Sequence, residues 1–489
     1  MSGTDRSRGR RRLAGCLLLA FSLAPAGAGQ ERFRRTQPNP DPLPELRLPA
    51  IETHRISNGL LLAVCRRDHL PVISLQLVVL AGEAQSPPER PGTATLAARM
   101  ILQGTELISA DEVQSRIEAI GGEFTVSTEL DYSLFSFNVL DDQLDRALEL
   151  LAPLILRPAF PRRELDAVKR TLRYALLDRS RDPEFLAKHQ LFQLLFSKHP
   201  YQNGLFGEDV VKAIDRDDVQ AFYDAYYRPN NAILVLSGPL SLTTATGKVS
   251  HHLNTWPPKD VPPPPAAPPE APAALRICLI DQPQSRDATL SIGTVVGPAG
   301  GPDALPLEIL CQVLGGTPTS RLFMDLRETK GYAFYAFSEL ELYKSCGLFL
   351  IRARVRPEFC GASIRAILDE TARVVEERIP SYDIEQAKSR LIGSFPLRIE
   401  ALDRLALRVA EIKAFNLGET SWTRQYESIM LVNAETVYAA VQNRALRTPV
   451  VVIVGDKNTL IDYLQDFEKI EVYSAKGVFQ YNLTRGGQE

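Results

Sequence analysis

Paired cysteines, an excess of one charge and long apolar runs are all scarce in this sequence, and each scarcity removes a class of protein. Six cysteines occur in 489 residues. Once Cys16 is assigned to a leader, Cys65, Cys278, Cys311, Cys346 and Cys360 remain, odd in number, widely spaced and without a Cys-x-x-Cys pair. That argues against a disulfide framework and a zinc ribbon, and for small buried apolar side chains. Lysine and arginine total 56 against 59 acids, for a formal net charge of −3. No basic stripe for nucleic acid follows from that balance. No segment after residue 28 is apolar enough to span a bilayer. A content of 45% apolar and 24% charged residues excludes bulk disorder and a collagen-like fibre. The length calls for two or more domains.

What is present begins with an export signal. Arg6, Arg8, Arg10, Arg11 and Arg12 form a basic region, Leu13 to Leu23 a short apolar core, and Ala26-Gly27-Ala28 a small-residue cleavage pattern. Residues 1–28 are therefore expected to be a signal peptide cleaved near Ala28, and the mature chain an exported, periplasmic protein. Leu13-Ala14-Gly15-Cys16 has the letters of a lipoprotein box. Its apolar stretch follows Cys16 instead of preceding it, so the match reads as chance. Removing five arginines and one aspartate leaves a mildly acidic mature chain.

Residues 29–49 read as a proline-rich leader. A second tract is more informative: nine of the sixteen residues from Pro257 to Pro272 are proline. Such a segment favours polyproline II and acts as a semi-rigid spacer. It places a linker at 256–274, between halves at 50–255 and 275–480, with a tail at 481–489.

The halves are copies of one plan. Ile73 to Leu80 and Ala288 to Val296 read as strands, each followed by a Gly-containing loop and an apolar helix. Phe135 to Val139 and Phe349 to Val355 are strands leading into the helical patterns Leu144, Ala147, Leu148, Leu151 and Ile364, Ile367, Leu368. Ala232 to Gly238 and Val450 to Gly455 close each half. The offset stays at about 215 residues, the mark of a duplicated unit. The fold class expected is α+β: two homologous halves, each a mixed or antiparallel sheet with helices on one face. Amphipathic helices are also expected from Arg163 to Asp178 and from Arg404 to Asn416.

His199-Pro200-Tyr201, Tyr227-x-Pro229-Asn230-Asn231 and the run from Ser320 to Gly331 recur in order on this plan. Together they resemble the pitrilysin/insulinase family of zinc metallopeptidases, the inverzincins, over roughly residues 50 to 480. The resemblance implies a clam of two α+β halves. It also implies a His-x-x-Glu-His motif on the first helix, whose histidines and a later glutamate hold zinc. A family arginine and tyrosine act as donors toward the developing oxyanion.

Carried onto this chain, the motif falls on Thr95-Leu96-Ala97-Ala98-Arg99, and the later carboxylates fall on Tyr174 and Ala175. Thr95, Ala98, Arg99 and Ala175 are thus degenerate positions, and neither a catalytic residue nor a metal site is expected in this chain. Arg99 is expected to pair with a nearby carboxylate, and His199 to shape a loop. The family arginine falls on Arg327, and its tyrosine on Phe334, with Tyr335 beside it. These three are the candidate substrate-binding residues.

The resemblance implies a non-catalytic subunit that binds extended polypeptide and pairs with a homologous chain bearing intact His-x-x-Glu-His. Zinc is expected only in that partner. Neither a nucleic-acid partner nor an integral membrane span is expected. The alternatives are a stand-alone periplasmic binding or assembly protein and, in the minority, an active metalloendopeptidase. Asn482-Leu483-Thr484 fits a glycosylation acceptor but decides nothing.

Overall fold

The structure, a computed structural model, describes residues 48–263, 269, 272, 274–418, 420–442, 448–484 and 487–488. The expected signal peptide and nearly all of the leader lie outside them.

The first half folds Ile51–Arg55 (β1), Leu61–Arg66 (β2), Val72–Val79 (β3), Glu123–Thr128 (β4), Ser133–Leu140 (β5) and Ala232–Gly238 (β6) into one sheet. Its order is β1-β2-β6-β3-β5-β4. The second half contributes Arg276–Asp281 (β7), Ala288–Val296 (β8), Ala333–Leu342 (β9), Gly347–Val355 (β10), Val450–Gly455 (β11), Lys469–Ser474 (β12), Phe479–Thr484 (β13) and Gly487–Gln488 (β14). Here the order is β14-β13-β12-β7-β11-β8-β10-β9.

The block β2-β6-β3-β5-β4 recurs as β7-β11-β8-β10-β9. In both copies the first pair is parallel and the others antiparallel. The halves differ beside this block, where β1 runs antiparallel to β2 but β12 runs parallel to β7. Each block ends on a strand, β4 or β9, whose outer edge no other strand covers among the described residues.

Helices of the first half are Thr93–Met100 (α1), Ala110–Ile120 (α2), Leu144–Leu156 (α3), Arg162–Arg179 (α4), Pro183–Leu195 (α5), Glu208–Val211 (α6), Arg216–Tyr226 (α7) and Leu242–Leu253 (α8). The second half has Ala304–Gly315 (α9), Arg321–Phe323 (α10), Cys360–Glu376 (α11), Ser381–Arg398 (α12) and Leu402–Ala414 (α13), among others.

Every residue of β6 and of β11 is buried, so both faces of each sheet are covered. One face packs on helices of its own half: Leu62, Leu75, Leu77 and Leu234 share a core with α1 and α3, and Leu279, Leu290 and Ile453 with α9 and α11. The opposite face takes a helix from the other half. Ala63, Cys65, Val78, Ile233 and Val235 meet Leu405, Val409 and Ile412 of α13. Cys278, Ile280, Leu350, Val452 and Val454 meet Leu191, Phe192 and Leu195 of α5.

Helices on one face, as expected, therefore describes each half only by its own chain segment. The exchange of α5 and α13 supplies the second layer. It does so because continuous apolar strands cannot leave a face in water. All five described cysteines are buried and reduced, Cys65 and Cys278 on these exchanged faces.

The chain leaves the first half through Trp256, buried and donating from Nε1 to the Tyr227 carbonyl at 3.2 Å. Beyond it, Pro257 to Pro263 is irregular and mostly exposed, tied once where Lys259 and Asn230 exchange hydrogen bonds. Much of the remaining tract lies outside the described residues.

Candidate functional site

The site expected from the sequence centres on α1, which packs on α4, α7 and the edge strand β4. Its N-cap is Gly92 at φ 95°, where a Cβ would fall 2.9 Å from the Phe206 ring. Glycine brings no side chain to cap the helix. The cap comes instead from Glu83, twelve residues upstream of Thr95 and 2% exposed. One Glu83 oxygen accepts from the Gly92 amide at 3.0 Å and the Ser86 hydroxyl at 2.8 Å. The other accepts from the Thr95 amide at 2.8 Å and the Thr95 hydroxyl at 2.5 Å. Burial raises the carboxyl's pKa above the ordinary range, and these four hydrogen bonds oppose the rise.

Thr95 is therefore committed to Glu83. Ala98 is fully buried in the first-half core. Arg99 is half-buried, and its pKa is lowered by burial first and by the nearby charge of Arg179 second. The expected carboxylate partner is absent: Arg99 has no ion pair among the described residues. Tyr174 and Ala175, on α4, are both exposed.

A hydroxyl already donated, two methyl groups, a phenol and a cation do not make a zinc donor set. Among the described residues no three His, Cys, Asp or Glu side chains gather to hold a metal. His199 is buried with Nδ1 accepting from the Tyr201 amide at 3.1 Å, while Nε2 has no partner. Burial lowers its pKa. It shapes the loop, as expected.

The second-half candidates sit on other elements. Arg327 lies on the π-helical turn Met324–Thr329, half exposed, 3.5 Å from Glu328 and with its guanidinium 4.9 Å above the Phe323 ring. That turn packs on α10 and β9. Phe334 is 46% exposed at a register shift in β9, under the guanidinium of Arg354 at 5.7 Å. Such a bulge re-aims a side chain.

Tyr335 turns the other way. Its hydroxyl donates to Glu184 of α5, which also takes Arg352 at 2.6 Å. Arg327 and Phe334 thus stay open while Tyr335 is used in holding the halves together. Most of the run from Ser320 to Gly331 is structural. Arg321 binds Asp383 and Glu370, Leu322 and Leu326 are buried, and Gly331 at φ 65° turns the chain into β9.

Sequence reasoning missed Glu83, Glu184 and a third acid, Asp131. Asp131 accepts from the Tyr201 hydroxyl at 2.8 Å and the Lys344 amide at 2.8 Å, joining the β4–β5 turn to the β9–β10 turn. No local pattern marks these acids: the partners of Glu184 and Asp131 lie far along the chain, and Glu83 caps a helix whose amides, at Gly92 and Thr95, lie well beyond capping-box distance.

Comparison with known proteins places this geometry. The model described as insulinase, peptidase family M16, matches residues 63–209, and that described as peptidase M16 inactive domain matches 213–391. An uncharacterized zinc protease of Bacillus subtilis is 23% identical over 352 residues, 72% of this chain and 85% of that protein. A Helicobacter pylori protein named as a non-peptidase homologue is 23% identical over 362 residues, 73% and 83% of the two chains. The solved peptidase M16 inactive domain from Pseudomonas fluorescens superposes with a TM-score of 0.78 at 22% identity, covering 83% of this chain and 98% of that one. A solved Helicobacter pylori protease gives 0.77 at 19% identity, covering 83% and 100%. With both family models laid end to end over the duplicated fold, the chain belongs to the insulinase family, peptidase family M16.

Proposed function

We propose that this chain is a non-catalytic insulinase-family subunit that binds extended polypeptide and closes a chamber with a zinc-bearing homologous chain. One observation carries the reading. The helix that aligns with His-x-x-Glu-His presents Thr95, Ala98 and Arg99, none free to bind metal, and the strand beside it has an open edge. That edge, β4, alternates exposed Glu123, Thr125 and Ser127 with inward Phe124 and Val126. An extended peptide added there pairs with main-chain groups and tolerates varied side chains. The names of the M16 inactive domain and of the non-peptidase homologue support a binding role over hydrolysis.

On this reading zinc belongs to the partner, the signal-like leader sends this chain to the periplasm, and Arg327 and Phe334 face the substrate. Among the described residues no helix is long and apolar enough to cross a membrane.

The test is purification of the chain from its native host, with mass spectrometry of what accompanies it and zinc analysis of each component. The expected result is a homologue with intact His-x-x-Glu-His that holds the metal and hydrolyses peptides, and faster with this chain than alone. Peptide binding without such a homologue would leave the stand-alone binding protein. One zinc per copy of this chain, with hydrolysis by it alone, would overturn the reading.

A further inference from the structure

His199-Pro200-Tyr201 lies at the seam between the halves. The His199 ring is 4% exposed, with the Phe196 ring at 5.9 Å and the Tyr201 ring at 4.6 Å. Its Nδ1 accepts from the Tyr201 amide at 3.1 Å, so the proton of the neutral ring sits on Nε2, which is buried and has no partner. Lys198 before it is held at φ 65°, and the turn Pro200–Gly204 follows.

Tyr201 carries the position of that turn to the other half. Its hydroxyl donates to Asp131 at 2.8 Å and accepts from the Ser345 amide at 3.0 Å. The second Asp131 oxygen accepts from the Lys344 amide at 2.8 Å, and the Tyr201 and Tyr343 rings meet edge-on at 5.3 Å. The tip of the β9–β10 hairpin is thus clasped by the β4–β5 turn and by the loop that His199 opens. In the same loop Asn203 donates to the Ser86 carbonyl at 2.9 Å, beside the Glu83 cap.

A proton on Nδ1 would turn this acceptor into a donor facing the donor amide of Tyr201. The neighbouring elements bring no free acid to hold the charge. Asp131 is used in the clasp, Glu83 in capping α1, and Glu341 in binding Lys188 and the Tyr343 hydroxyl. Glu129, Lys198 and Lys344 are exposed. His189 of α5, its pKa also lowered by burial, hydrogen-bonds the Leu205 backbone. Burial lowers the pKa of His199 below its unfolded value. The stability it contributes is complete above the unfolded pKa and is lost as pH falls below it. Asp131 and Glu83, both raised by burial, titrate with the opposite sign.

We propose that His199 is a pH switch on the seam: neutral, it holds Tyr201 in the clasp, and protonated, it gives up the Tyr201 amide and lets the hairpin tip go. The exchanged helices α5 and α13 keep the halves joined, so acid loosens the seam without parting them.

Hydrogen exchange of the full mature chain, corrected for intrinsic rates, reads the clasp at the Lys344 and Ser345 amides. From about pH 7 to about pH 5 their protection is expected to fall about tenfold, the effect of one proton bound tenfold more tightly by the open form. In His199→Asn the side-chain oxygen can accept the amide two residues on and does not titrate, so protection should stay level. Tyr201→Phe should leave Ser345 poorly protected at every pH. His189→Phe, which keeps the stacking on Phe185, should lose protection in acid as the wild type does. Wild-type protection that stays level or rises on acidification overturns the switch. So does an acid loss that persists in His199→Asn or vanishes in His189→Phe, and Ser345 protection untouched by Tyr201→Phe overturns the clasp. Should His199→Asn not fold, the wild-type profile decides: a fall centred above about pH 5 supports the histidine, and one centred near about pH 4 belongs to a carboxylate and overturns it.

Discussion

Glu83 replaces an ordinary helix cap with a buried carboxylate, and that choice has a measurable pH signature. Its folded pKa is raised, so it contributes most stability below its unfolded pKa and loses that part as pH rises through the folded value. Glu83→Gln has no such titration and accepts fewer hydrogen bonds. Its melting temperature should lie below the wild type throughout, with a gap that is widest at mildly acidic pH and narrows toward pH 8 (about the top of the window worth scanning). A gap that widens with pH would contradict the assignment. Ala98 supports a second expectation. It is fully buried, so Ala98→Glu, which puts a glutamate where the resemblance aligns the family's general base, should cost about 3 kcal/mol or more, read by denaturant unfolding. Zinc analysis of dialysed wild-type chain should find less than one ion per chain, as the donor chemistry of Thr95, Ala98 and Arg99 implies. Residue identity in the sequence is enough to see that Thr95, Ala98 and Arg99 are not a zinc-ligand set. It could not show that Thr95 serves Glu83 or that Arg99 lacks a partner, because both facts depend on side chains brought together by packing.

Strands and helices were the most legible features. The expected strand from Ile73 to Leu80 is β3 at Val72–Val79, and Ala232 to Gly238 is β6 as read. The helices expected from Arg163 to Asp178 and Arg404 to Asn416 are α4 and α13 within a residue or two at most ends. What remained hidden was the destination of α13. An amphipathic stripe states that a helix must bury one face but not against what, and here the answer lies on the other half's sheet. Two variants probe this exchange. Leu405→Ala, on the face of α13 that covers β6, should cost about 2–4 kcal/mol, and it should speed amide exchange in the first-half sheet although the change is in the second half. Tyr335→Phe removes the hydroxyl that reaches Glu184 on α5 and should cost about 1–2 kcal/mol of stability. If Tyr335 instead served the substrate, stability would hold and peptide affinity would fall.

For the whole molecule, the repeat at constant offset announced the duplication, and the matching strand orders confirm it. The proline tract announced a junction between halves that the helix exchange then fastens. Limited proteolysis should cut within 257–274 and give two bands under denaturing conditions. The nicked protein should still elute as one species until denaturant frees α5 and α13 from their sheets. Separation of the halves on nicking alone would show the exchanged helices to be weakly held. The same fastening governs synthesis. When the ribosome has finished β6, the face formed by Ala63, Cys65, Val78, Ile233 and Val235 has no cover, because α13 has not been made. Roughly 170 residues must still be translated, which at ordinary elongation rates takes about 10–35 s. For that interval the first half is an open sheet with an apolar face, which its own helices cannot shield. Folding of this chain should therefore depend on a holding chaperone, and truncations that stop before residue 402 should aggregate where the full-length chain does not.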